Sequence, residues 1–365
     1  MRELVEEVLL YQPDWTAKKT DDMNRRGIII RTEIKAWLLS MSGQLTLRLG
    51  PEFDDLLVEG RDGTGPKSEI PWTRFASRSM SPSATTGWYV VYLFNALGET
   101  AYLSLNQGTT TWSGGDFVRQ PLELLEDRVA WARTSLGSRL DNPRLVAAIS
   151  LDARRSELGP QYEAGNVAAF EYPLDEIPDD GTLASDALEM AELLRVIYEA
   201  SEHAPVPGEL PPEVAEAIEA SEALAAPLKP RKVRKGYRLT AAERKVIELR
   251  AEDVAQTHYE TQGWTVKRVG ATEPFDLLLT KSGHELHVEV KGTTSPGDQV
   301  VLTRTEVEHQ RAIYPANSLV VVHGIVLDRS DAEPSASGGT LREVSPWSID
   351  DEALTVISYT YATGL

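Results

Sequence analysis

The chain has 365 residues, 41% of them hydrophobic, a formal net charge of −19 and no cysteine. Such a length favours two or three domains over a single core, and no run approaches the roughly 18 apolar residues of a membrane span. Without cysteine, disulfides, thiolate zinc sites and cysteine nucleophiles are excluded.

The opening "MRELVEEVLLYQPDW" is acidic and lacks a cleavage-site pattern. It does not read as a signal peptide, so a cytoplasmic protein without a membrane partner is expected. After the flexible "GRDGTGPKSE", the segment "EIPWTRFA" (69–76) precedes two strands around a glycine turn, "GWYVVYLFNALGETAYLSLNQGT" (87–109). Alternation puts Tyr89, Val91 and Leu93 on one strand face and Trp88, Val90, Tyr92 and Phe94 on the other. Gly60 and Gly65 have the spacing of a phosphate-binding loop, but Pro66 separates Gly65 from Lys67, so no nucleotide-driven motor is expected.

A helix over 183–202 closes the first domain, residues 1–203. Residues 204–235 read as a linker rich in Pro, Ala and Glu, with one short helix after the proline pair and a basic end. Charge is uneven here: residues 152–226 hold 18 acids and 3 bases, leaving −4 for the other 290 residues, and "KPRKVRKGYR" (229–238) follows with six bases. One acidic segment therefore dominates the total, which is a poor guide to partners.

The second domain, residues 236–365, opens on a capping box at Thr240 and Glu243, and its helix stops at Gly263. The strand "WTVKRV", a hairpin, a short strand "QVVL", a second capping box at Thr303 and Glu306 with its helix, and the strand "SLVVVHGIVL" (318–327) follow. The fold class expected for the chain is a multidomain α/β (α+β) protein, the second domain being a mixed sheet flanked by helices.

The hairpin "EPFDLLLTKSGHELHVEVKG" (273–292) carries the chemistry. A two-residue Ser282-Gly283 turn sets Leu279 against Leu286, Leu277 against Val288, and Asp276 against Glu289. Leu277, Leu279, Leu286, Val288 and Val290 then share a buried face, while Asp276, His287, Glu289 and Lys291 share the other. Opposed carboxylates repel; a hard cation such as Mg²⁺ between them removes that cost. Lys291 can polarise a water or steady a phosphate, and Glu248 on the preceding helix adds a carboxylate. Metal, water and lysine together point to phosphodiester hydrolysis. Glu-x-Lys alone is weak evidence, since it recurs at Glu33–Lys35 and Glu243–Lys245.

"PFDLLLTKSGHELHVEVKGT" resembles the core motif of the PD-(D/E)XK, or restriction-endonuclease-like, nucleases. Together "VIELRAEDVAQTHYETQGWTV", "HVEVKGTT" and "VLTRTEVEH" resemble a nuclease-like domain found at the C-terminus of bacterial defence proteins, over about residues 240–327. The resemblance implies Asp276 and Glu289 as ligands of Mg²⁺, for which Mn²⁺ substitutes, Lys291 as the catalytic lysine and Glu248 as an auxiliary acid. Thr305 departs from the Asn common in relatives, and Gln310, one turn after Glu306, is placed to face the site.

"GTGPKSEIPWTRFA", "GWYVVYLF", "AYLSLNQGTTT" and "YEAGNVAAFEYPLDEIP" resemble the N-terminal DNA-binding domain of McrB-type modification-dependent restriction proteins, over about residues 1–203. That likeness implies a base-reader domain in which a modified cytosine, flipped from double-stranded DNA, enters a pocket lined by Trp72, Tyr89 and Leu93. Thr64 matches the residue that fills the vacated space, and Lys67, Arg74 and Arg78 are expected phosphate contacts. The implied whole is a type IV restriction endonuclease that needs Mg²⁺ but no nucleoside triphosphate and dimerises on DNA to cut both strands. The alternative is a non-catalytic modified-DNA sensor with a nuclease-like scaffold.

Overall fold

The computed structural model describes residues 1–63, 65–113, 116–225, 239–330 and 333–357. The chain divides into two compact units, Met1–Gly208 and, among the described residues, 209–225 with 239–357. Both mix helix and sheet, as the α/β multidomain class requires.

Four helices open the first unit: α1 (Arg2–Tyr11), α2 (Asp21–Ile28), α3 (Ile34–Ser40) and α4 (Ser42–Leu49). The strands β1 (Leu56–Arg61), β2 (Trp72–Ser77), β3 (Trp88–Phe94) and β4 (Thr100–Gln107) follow, then a ribbon of β5 (Thr110–Ser113) and β6 (Asp116–Arg119). Next come α5 (Leu122–Leu136), β7 (Leu145–Val146), α6 (Gly159–Ala164), β8 (Ala168–Pro173) and α7 (Asp180–His203). An antiparallel sheet in the order β1-β2-β3-β4-β8-β7 runs through the unit.

Every residue of β3 is buried, because both faces of its sheet are covered. Trp88, Val90, Tyr92 and Phe94 enter the main core with residues of the helices, and Trp88 stacks on Trp131 of α5 at 6.1 Å. Tyr89, Val91 and Leu93 enter a second, smaller core with Tyr102, Ile149, Leu151 and Tyr162. Aromatic and β-branched residues without polar alternation are what a strand buried on both sides needs.

In the second unit α8 (Pro212–Ala225) precedes α9 (Ala241–Thr261), β9 (Thr265–Arg268), β10 (Leu277–Lys281), β11 (His284–Gly292), α10 (Arg304–Ile313), β12 (Asn317–Asp328) and β13 (Ser335–Val344). Its sheet has the order β13-β12-β11-β10-β9, with β11 and β12 parallel across the α10 crossover. Both capping boxes form, at Thr240 with Glu243 and at Thr303 with Glu306. The run "QVVL" is not a strand; residues 299–302 have no ladder partner, and the sheet gains β13 instead.

Ser282 and Gly283 both have positive φ, 52° and 80°, the mark of a type I′ hairpin turn. The pairs Leu277–Val288 and Leu279–Leu286 follow from it. Leu277, Leu279, Val288 and Val290 pack with Ile247, Ala251 and Ala255 of α9. Gly292 permits that approach: a Cβ there would lie 2.8 Å from Ala251 Cβ and 2.9 Å from the Ile247 carbonyl.

Candidate functional site

On the far face of β11 from α9, alternation carries His287, Glu289 and Lys291. The ladder ends one pair short of Asp276, a departure from the expected register. Asp276 N–H donates to Val288 O at 3.1 Å, and the Val290 N–H donates to Asp276 Oδ2 at 2.7 Å. The carboxylate thus occupies a backbone donor that strand pairing leaves free. It does not stand square across from Glu289.

Glu289 is 1% exposed, with Oε1 2.7 Å from Lys291 Nζ and Oε2 without a hydrogen-bond partner among the described residues. Lys291 also contacts Glu306 at 3.2 Å, the same side chain whose Oε2 accepts the Thr303 N–H at 2.8 Å. One glutamate therefore caps α10 and holds the lysine. Burial, with repulsion from Asp276, outweighs Lys291 and pushes the Glu289 carboxyl up to about 8. Asp276 is also raised, by burial first and then by Glu306 and Glu248, against the Val290 N–H and Lys291. Burial acts to lower Lys291, but Glu289 and Glu306 outweigh it and keep the ammonium charged.

Glu248 is exposed and pairs with Lys245 at 3.0 Å, so it joins this cluster only through its field on Asp276. Glu252, one turn on, is less exposed and pairs with Arg268 at 3.1 Å; burial raises its carboxyl, and Asp276 adds to the rise. Sequence reasoning missed Glu252 and the second role of Glu306. The i, i+4 spacing of Glu248 and Glu252 was the available signal for the first.

Phe275, His287 and His309 form a stacked group, with ring centroids 4.1 Å apart for Phe275–His287 and 4.8 Å for Phe275–His309. The two imidazoles share a hydrogen bond of 2.9 Å. Gln310 is fully buried, with both amide atoms unpartnered among the described residues.

Carboxylates outnumber cations here, and an all-oxygen donor set with an unused Glu289 Oε2 fits a hard divalent ion. Mg²⁺ is commonly held by only one or two carboxylates and keeps waters. Among the described residues, no group of three or more His, Cys, Asp or Glu side chains is arranged to hold a metal. Asp276 and Glu289 are the two carboxylates here that could contribute to such a site.

In the first unit, Trp72 stands directly opposite Leu93, and Leu93 opposite Tyr102. Tyr89 lies on the same face, its hydroxyl donating to Gln107 O at 2.6 Å. The structure thus brings Trp72, Tyr89 and Leu93 to one sheet face, with Tyr89 and Leu93 sealed inside the smaller core and Trp72 half-buried at its margin. Burial raises the Tyr162 hydroxyl to about 12.

Lys67 and Arg74, expected as phosphate contacts, are buried instead. Lys67 is 7% exposed and pairs with Asp62 at 2.6 Å; Arg74 is 0% exposed, with donors taken by Glu59 at 2.9 Å and by the Ser81 hydroxyl at 2.9 Å. Two nearby carboxylates neutralise them, which a reading of isolated basic residues does not reveal. Arg78 is exposed, while Thr64 and the basic run 229–238 lie outside the described residues. No helix among the described residues is long and apolar enough to cross a membrane.

Comparison with known families separates the same two parts. The family described as Protein NO VEIN, C-terminal matches residues 242–331, and the family described as MrcB-like, N-terminal domain matches residues 12–199. No curated protein and no solved structure matches the chain. The two family matches together support a restriction-like architecture directed at modified DNA. The N-terminal match covers more than half of the 365 residues, and the chain belongs to the MrcB-like N-terminal domain family.

Proposed function

We propose that the chain is a modification-dependent DNA endonuclease. Its first unit reads a modified base, a modified cytosine flipped from the duplex, and its second hydrolyses phosphodiesters with Mg²⁺ and without a nucleoside triphosphate, in defence against foreign DNA. The reading rests on the buried Glu289–Lys291 pair beside Asp276, where a carboxylate oxygen stands without a hydrogen-bond partner among the described residues. A polar atom left unsatisfied in a buried site asks for a functional reason.

Asp276 and Glu289 would hold the ion, which when bound acidifies a water and withdraws charge from the phosphate. Lys291, kept charged by two glutamates, presents an ammonium to a phosphate oxygen or steadies the attacking water. Glu306 positions Lys291 from the first turn of α10, a rigid place for such a support. The water oxygen forms a new bond to phosphorus, one ester P–O bond breaks, and the departing sugar oxygen takes a proton. On the reading side, the half-buried Trp72 supplies the aromatic surface that offsets stacking lost on flipping, and Tyr89 and Leu93 back it from within the smaller core.

A second reading, a DNA-binding sensor with a nuclease-like scaffold, is favoured by Glu248, the expected auxiliary acid, which is exposed and paired with Lys245. Incubating the full chain with modified and unmodified plasmid, with Mg²⁺ and with chelator, separates the two. Metal-dependent cutting of the modified plasmid supports the enzyme; selective binding without cutting supports the sensor and overturns the enzyme.

A further inference from the structure

The smaller core of the first unit is covered by a strap, residues 149–158, whose Ile149, Leu151, Ala153 and Leu158 pack into it beside Trp72. Three backbone amides of the strap point at one side chain. The N–H groups of Arg154, Arg155 and Ser156 donate to the buried carboxylate of Glu69 at 3.2, 2.8 and 2.6 Å. Leu151 is fixed at both ends of its peptide, N–H to Glu163 at 2.7 Å and carbonyl from Ala96 N–H at 2.8 Å. Asp152 between them has φ 49°, a left-handed conformation that the surrounding bonds hold in place. Glu69 lies three residues before Trp72, so strap and reader face are tied together.

The side chains on this strap are unusual for where they lie. Residues 152–226 contain 3 bases against 18 acids, and two of the three are the adjacent Arg154 and Arg155. Both are exposed, and neither is in an ion pair among the described residues. The Arg155 guanidinium lies 6.0 Å over the Trp15 ring, and Trp15 Nε1–H donates to the Lys67 carbonyl at 3.3 Å. Lys67 N–H in turn donates to Ala17 O at 3.0 Å, directly before the exposed Lys18 and Lys19. The exposed acids close along the chain are Asp14, Asp21, Asp22, Asp152 and Glu157, the last paired with Arg119 at 3.5 Å.

We propose that Arg154 and Arg155, with Lys18 and Lys19 beside them, form the phosphate-contacting surface that seats duplex DNA over the Trp72 face. This rests on the DNA-reading function proposed above, and it supplies the surface cations that the buried Lys67 and Arg74 do not. Guanidiniums suit bidentate phosphate contacts. A strap pinned through its backbone holds them in register without using the side chains.

The test is the salt dependence of binding by the full chain, in chelator, to modified and unmodified duplexes of equal length. Each phosphate contact carries a slope of about 0.9 in log K against log salt, so Arg154→Ala/Arg155→Ala should flatten the slope by about 1.8 on both duplexes. That amounts to an affinity loss about 12-fold smaller than wild type between 50 and 200 mM salt. The preference for modified DNA should persist. Arg154→Gln/Arg155→Gln reads the same slope if the alanine pair melts early. An unchanged slope with the preference intact overturns the proposal and leaves the reader function standing. A flattened slope in a protein that never preferred modified DNA upholds the phosphate surface and overturns the reader function. A wild-type chain that binds neither duplex overturns both.

Discussion

Replacing Lys291 with alanine should weaken the second unit as well as stop cutting. The ammonium lies 2.7 Å from Glu289 and 3.2 Å from Glu306, and without it both oxygens of a carboxylate that is 1% exposed lack a partner. Removing one member of a buried ion pair costs about 3–5 kcal/mol. Lys291 keeps 21% side-chain exposure and Glu306 keeps its Thr303 N–H, which places the loss near the lower end, about 3 kcal/mol. At about 2–4 °C per kcal/mol, the second unit's calorimetric transition should fall by about 6–12 °C. The deficit should grow with pH. A carboxyl raised in the folded state stabilises fully below its unfolded value of 4.5 and loses that stability as pH rises through about 8. Deleting Lys291 removes the cation opposing that rise, so the gap should open as pH passes about 8 and be larger at about pH 9 than at about pH 5. Millimolar Mg²⁺ should narrow it by binding the folded form. A variant that melts with wild type at both pH values and still cuts modified DNA would refute both the pairing and the role.

Trp72→Ala should lower the preference for modified over plain duplex by about 5- to 150-fold, the worth of about 1–3 kcal/mol of base stacking; an unchanged preference in a binding titration contradicts the reader face. Asp62, 1% exposed, is lowered overall because Lys67 and Arg31 outweigh the opposing effect of burial. Its stabilisation is therefore present above its unfolded value of 3.8 and lost as pH falls through the lower folded value. Asp62→Asn, which breaks the buried pair with Lys67, should loosen residues 65–69 by about 3 kcal/mol at neutral pH, read by amide exchange; wild-type protection there would contradict it. Gly292→Ala should cost about 1–3 kcal/mol by pressing β11 off α9 and should slow cleavage while DNA binding persists; a wild-type melt would count against that packing.

Local chemistry was the part most legible in the sequence. The capping boxes at Thr240 and Thr303 need only residues within one turn, and the Ser282-Gly283 turn fixes the hairpin register by itself. Alternation along β3 separated its two faces because strand geometry has a period of two. What depends on distant partners was not legible. "QVVL" has strand-forming residues but no neighbouring edge, while the mostly exposed β13, rich in Gly and Ser, is a strand because β12 offers one. Asp276 turns aside from the ladder to cap Val290, a choice between two hydrogen bonds that propensity does not encode. Lys67 and Arg74 read as surface cations until Asp62 and Glu59 are seen to enclose them. Glu306 read as a cap alone, because its contact with Lys291 comes only from folding α10 against the sheet.

The most direct test of one chain that both reads and cuts is a mapped cleavage assay on a linear duplex with a single modified cytosine, with Mg²⁺ and no nucleoside triphosphate. The prediction is a cut near the modification, absent from the unmodified duplex, and lost in Glu289→Gln although that variant still binds. Equal cutting of both duplexes, or wild-type cutting by Glu289→Gln, would contradict it.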